Sequence, residues 1–248
     1  MPSIEDYNRY GEELEKWLRL KTSPVAVKML ETEADIPEGA VRPRKDRGHH
    51  LAQCQAFAFS RRNRETIAMM KEDNWCPAPV MAYGMEPQPD NPTARALMKY
   101  DSFETGKYTG IVTAPLGKTN FEPDVVIIYL NTAQLRTLLL VMRPEDREQI
   151  ESNFFPPSCA HAVVPPMQTG GYRIVLPDPG EYARALCGED EMMFAVPGDK
   201  LEGLVSDIRK AMESGNPFFN ESMIMRPDFP QPDLYKNVFE DWGMDYEK

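Results

Sequence analysis

The stretch "PDVVIIYLNTAQLRTLLLVM" runs from Pro123 to Met142, and its reading decides the fold. Val125 to Leu130 form an unbroken apolar run rich in β-branched side chains. Such a run suits a strand buried on both faces. Asn131 interrupts it, and the leucine-rich stretch from Thr132 continues as a helix. A strand that turns directly into a helix leaves Asn131 and Gln134 at the carboxyl end of a buried strand. α/β sheets commonly bind ligands there, so both are candidate contacts to a small molecule or cofactor.

Working outward, "PVAVKML" (Pro24 to Leu30), "TGIVTAPL", "YRIVLP" and "MMFAVP" read as further strands. Ser3 with Asp6 offers a capping box for a helix to about Leu20. "LAQCQAFAFSRR" (Leu51 to Arg62), Pro92 to Tyr100 and Gly198 to Glu213 also read as helices. "CPAPVMAYGM" places Cys76 at or near an N-cap, because Pro77 suits a first helical turn. The expected fold is α/β to α+β, a mixed sheet with helices packed on it. Residues 1–220 read as a single domain, with a subdivision near 86–92 as the alternative. Residues 221–248 read as an extended segment wrapping the body or a neighbouring subunit of a homo-oligomer.

Proline is frequent, 23 residues in 248, and comes in clusters that mark stiff loops between short elements. Sites are commonly built on such loops. A net charge of −11 argues against a nucleic-acid partner, which demands a basic face. The basic run "RPRKDRGHH" (Arg42 to His50) reads as a solvated loop in preference to an anion site. The opening residues lack a secretory signal core, and the longest apolar run is too short to span a membrane. A cytoplasmic protein is expected, in which cysteines serve as thiols, metal ligands or buried hydrophobes and not as disulfides.

"LGKTN" (Leu116 to Asn120) is similar to the end of a phosphate-binding loop. Val112 replaces the required glycine, and no helix follows. The acidic runs "CGEDEMM" and "DYEK" read as solvated faces, with an inward turn of Glu191 as the lesser alternative. The Cys and His residues are more informative. Cys54, Cys76, Cys159 and Cys187 contain no Cys-x-x-Cys pair, which excludes zinc-finger and ferredoxin spacing. His50 precedes Cys54 by four residues, and Cys159 lies two residues before His161 in "FFPPSCAHAVVPP". Soft thiolates select zinc, copper(I) or iron–sulfur clusters. Free cysteine also packs well as a buried hydrophobe, and that suits Cys187 best. For Cys54, Cys76 and Cys159 the two readings stand level on spacing.

Several of these segments together resemble the domain of unknown function 169 family. They are "LRLKTSPVAVKML", "CQAFAFSRR" followed by "NWCPAPVMAYGM", "EPDVVIIYLNTAQLRTLL", and "SCAHAVVPPMQTGGYRIVLPDPGEYARAL" followed by "DEMMFAVP". The likeness runs from about Leu18 to Leu204. It implies a protein of the kind found in anaerobes and archaea, with Cys54, Cys76 and Cys159 as the matching cysteines. "PDPGEYARA" departs from the Gly-Asp-Arg expected there, which puts an anion-binding role for that turn in doubt.

The resulting expectation is an enzyme of anaerobic small-molecule metabolism. Cys54, Cys76 and Cys159 would hold an iron–sulfur cluster with one iron open as a Lewis acid, and His161 or His50 would supply the proton. Cluster ligation needs the three sulfurs within roughly 6–7 Å of one another. The alternatives are a single zinc or iron ion held by Cys159, His161 and another cysteine, or a non-catalytic small-molecule-binding protein with structural cysteines.

Overall fold

The computed structural model describes residues 2–93, 100–154, 156–214 and 233–244. The chain divides into two units, Met1–Ser214 and Gly215–Lys248. The first unit is built on a seven-stranded sheet. Its strands are β1 (Val25–Leu30), β2 (Ile67–Met70), β3 (Gly110–Pro115), β4 (Val125–Leu130), β5 (Ile150–Asn153), β6 (Tyr172–Val175) and β7 (Met192–Pro197). They lie in the order β2-β3-β1-β4-β7-β6-β5. All neighbours pair antiparallel except β5 and β6, which are parallel. The fold is therefore a mixed sheet with helices packed around it, as the sequence pattern predicts.

β4 lies between β1 and β7, and all six of its residues are buried. Strand alternation splits them between two faces. Val125, Ile127 and Tyr129 join one core with Phe57, Tyr83 and Cys159, and Val126, Ile128 and Leu130 point to the opposite side. β4 runs into the helix Thr132–Val141 through a capping box. The Asn131 side chain accepts the Gln134 N–H at 2.9 Å, and Gln134 Oε1 accepts the Asn131 N–H at 2.8 Å. The same device, Ser3 with Asp6, starts the helix Ile4–Leu18. "LGKTN" forms a tight turn against that helix: a Cβ on Gly11 would lie 2.4 Å from the Gly117 nitrogen. The turn is packing, not phosphate cradle.

Several local expectations are corrected. The proline-rich loop around Cys159 is two short helices, Ser158–His161 and Val164–Thr169. "PGEYARA" is a helix as well, Pro179–Ala185. Prolines in a first turn cost no hydrogen bond, so these segments start helices where they read as loops. The helix expected over Leu51 to Arg62 is α-helical only over Gln53–Ala58 and continues as a wider π turn, Phe59–Asn63. Arg42 is not solvated: it is buried, and its guanidinium binds Asp73 (2.6 Å), Glu72 (2.6 Å) and Glu33 (2.8 Å). Glu191 does turn inward.

Most of the helix expected over Pro92 to Tyr100 lies outside the described residues. So does most of the wrapping segment expected over 221–248, of which Asp233–Asp241 form a helix. Among the described residues, no helix is long and apolar enough to cross a membrane.

Candidate functional site

Four short helices hold the candidate groups. Gln53–Ala58 holds Cys54, Pro77–Ala82 starts at Cys76, Ser158–His161 holds Cys159, and Pro179–Ala185 holds Glu181. Cys76 is the N-cap residue, with Pro77 opening the helix and Asn74 Oδ1 accepting the Cys76 N–H at 3.0 Å. One carboxylate fastens two of these helices together. Asp178 Oδ1 caps the Pro179–Ala185 helix at the N–H groups of Gly180 (2.6 Å) and Glu181 (3.2 Å). Its Oδ2 accepts the N–H of Ser158 at 2.9 Å. The Tyr83 hydroxyl donates to the Cys159 carbonyl at 3.0 Å, and the Cys54 thiol to the Gly180 carbonyl at 3.7 Å.

Cys54 and Cys159 are buried, and Cys76 is half-buried against Cys54 and Ala185. Cys76 also lines a cavity of about 340 Å³ with Trp75, Val80, Met81, Lys71 and Glu86. Arg184 lies 4.8 Å over the Trp75 ring. The three thiols act on one another. Burial pushes Cys54 up to about 12, and the charges of Glu181, Asp178 and Cys76 add to the effect. Burial likewise raises Cys159 well above its ordinary value, followed by Cys54, Asp178, Glu181 and Cys76. Cys54 and Cys159 are thus held protonated by a low dielectric and by the anionic character of their neighbours.

Glu181 is the group that sequence reasoning missed. It is fully buried, and desolvation lifts its carboxyl from 4.5 to about 8, with Asp178 and Glu191 pushing the same way. Arg61 and the Tyr129 hydroxyl, which donates to Glu181 Oε2 at 3.1 Å, oppose the shift. Arg61 is itself buried, 3.9 Å above the Tyr129 ring, and bonds Glu191 at 3.2 Å. Burial raises Glu191, but Arg61, the Gly188 N–H and Arg62 outweigh it and leave the carboxyl below its ordinary value. The two buried acids therefore separate: Glu191 is an ion-pair partner, and the Glu181 carboxyl is lifted to about 8. The only signal in the sequence was the Asp178-x-x-Glu181 spacing of a capping box, which places a glutamate at a helix start without turning it inward.

The other sequence candidates lie as follows. His161 is buried at the end of the Cys159 helix, and desolvation lowers its pKa, so it is neutral near pH 7 and not a ready proton donor. His50 is exposed and precedes the helix that starts at Gln53, so it does not share a helical face with Cys54. Asn131 and Gln134 spend their polar atoms on the capping box, and Gln134 Nε2 donates to the carbonyls of Leu18 and Arg19, both at 2.9 Å. Cys187 is buried in the main core. Among the described residues, no three His, Cys, Asp or Glu side chains stand together as the ligands of one metal ion. Buried atoms without a partner are found on three of these four helices. They are both side-chain polar atoms of Gln53, Ser158 Oγ and Glu181 Oε1. Native interiors seldom leave such groups idle.

The profile of one protein family, DUF169, described as "Uncharacterised ArCR", matches residues 13–207. No curated protein and no solved structure matches the chain.

Proposed function

The chain belongs to the DUF169 family, and from that footing we propose an enzyme of small-molecule metabolism that works at a thiolate-held iron–sulfur centre. One observation carries the reading. Cys54, Cys76 and Cys159, from three separate helices, lie within electrostatic reach of one another, and Cys159 is pushed up by both of the others. Thiols crowded among carboxyls favour a cationic centre, which would relieve their repulsion and hold them deprotonated. The idle amide of Gln53 and hydroxyl of Ser158 are the kind of donors that bond to cluster sulfur.

The centre, when bound, would supply a Lewis-acidic iron that polarises a hydroxyl or carbonyl oxygen of the substrate. The remaining work falls to the chain. The cavity at Cys76 admits the substrate along Trp75, Val80 and Met81. Glu181 gives or takes a proton at its carboxyl oxygen, because a group that titrates near pH 8 is protonated but not strongly held at neutrality. Tyr129 orients that carboxyl through its hydrogen bond. Glu181 thereby takes the role that the sequence pattern offered to His161 and His50.

The test is anaerobic purification with iron and acid-labile sulfide analysis, on the native chain and on serine variants of all four cysteines. Iron and sulfide in the native chain and in Cys187→Ser, lost in Cys54→Ser, Cys76→Ser and Cys159→Ser, supports the reading. Colourless, iron-free native protein overturns it. The second reading, a binding protein with structural cysteines, draws on the seat of Cys159 in an apolar core beside Tyr83 and Val163. It requires that the serine variants change stability alone.

A further inference from the structure

We infer that a second cavity, of about 220 Å³ and apart from the thiols, binds the phosphate group of a small molecule. Lys21, Thr22, Ser23, Arg61, Arg62 and Arg64 line it. Four cationic residues contribute to its wall in a chain whose net charge is −11. Three carboxylates answer them: Glu15, also in the wall, pairs with Arg64, Asp190 with Lys21, and Glu191 with Arg61. Glu191 reaches Arg62 only at 3.9 Å, and Arg62 otherwise donates to the Leu186 carbonyl. The cations thus outnumber the acids by one.

Two buried donors in this wall have no acceptor. They are Ser23 Oγ, in a residue 2% exposed, and Arg61 Nε, in a residue 1% exposed. The walls come from two segments, 21–23 and 61–64, held together by the Ser23 N–H bond to the Arg61 carbonyl at 3.0 Å. Arg61 also donates to Thr22 Oγ1 at 3.2 Å. Guanidinium forks and hydroxyls arriving from two directions match a tetrahedral oxyanion, which accepts around its whole surface, better than a planar carboxylate. The volume accommodates a phosphate with a small substituent. This site does not depend on the thiol centre, although Arg61 touches both through Tyr129.

Calorimetric titration of the full chain with inorganic phosphate, glycerol 3-phosphate and acetate at constant ionic strength tests the inference. Saturable binding of a phosphate, and weaker or absent binding of acetate, is expected. Loss of one charge-assisted donor in Arg62→Gln, or of the idle hydroxyl in Ser23→Ala, should weaken it about tenfold. Tighter binding of the ester assigns the site to a phosphorylated metabolite, and tighter binding of the free ion assigns it to inorganic phosphate. Either supports the site. Phosphate bound no better than acetate, or binding undiminished in both folded variants, overturns it.

Discussion

The hydroxyl of Tyr129, at the buried centre of the sheet, donates to the carboxyl of Glu181, on a helix that packs over it, at 3.1 Å. Glu181 is lifted to about 8 from an ordinary 4.5, so between those values the folded chain binds a proton that the unfolded chain has released. Its contribution is intact below the lower value and is lost as pH rises through the upper one, by at most about 1.4 kcal/mol per pH unit. Urea unfolding at a series of pH values should show this decline in the native chain. Glu181→Gln, a mimic of the protonated form, should flatten it and be the more stable protein above pH 8.

Asp178 holds the starts of two helices. Asp178→Ala removes a cap and leaves the Ser158 N–H without its acceptor. The expected loss is about 2–3 kcal/mol, with Asp178→Asn retaining the larger part. Chemical denaturation of both variants checks the ranking.

Arg42 is surrounded by Asp73, Glu72 and Glu33, and Asp73 is itself completely buried. Arg42→Ala strands a buried carboxylate and should cost about 3–5 kcal/mol. Arg42→Ala combined with Asp73→Asn should recover part of it. Thermal unfolding of the single and double variants measures the coupling.

Gly198 follows β7 where the chain meets the entry to β4. A Cβ there would lie 2.0 Å from the Pro123 carbonyl oxygen, a clash with backbone and not with a movable side chain. Gly198→Ala should lower stability by about 1–3 kcal/mol, and Gly39→Ala is not a suitable control because of its positive φ. Gly203→Ala, whose Cβ meets only the tip of Arg143, is the proper comparison.

The thiols should separate by access. Cys76 lines an open cavity, and Cys54 and Cys159 are buried with raised pKa values. Timed alkylation of the metal-free chain at pH 7.5, read by peptide mass spectrometry, should label Cys76 first and the other two only on unfolding. Equal rates would contradict the burial.

The sheet was legible because burial writes itself into composition. Val125 to Leu130 had to be a covered strand, and Asn131 and Gln134 had the spacing of a helix start. A cap and a ligand contact use the same side chains, and in the fold the polar atoms of both residues go to the cap and to the Leu18 and Arg19 carbonyls. The short helices around Cys159 and Glu181 escaped notice because proline and glycine mark both loops and first turns. Glu181 could not be singled out at all. Its altered chemistry comes from Tyr129, Arg61 and Asp178, which lie 52, 120 and 3 residues away in the chain. Cys54, Cys76 and Cys159 were visible as residues, and only the packing of three helices relates them.

The sheet ends on β5, a strand of Ile, Glu, Ser and Asn held at one edge only. At the other end, β2 is partly shielded by a bridge from Val41. An open edge of polar and charged side chains is a poor template for another strand. If copies of this unit associate, they are steered away from zipping their sheets together, and crowded or partly unfolded material is protected from fibrous aggregation at that flank.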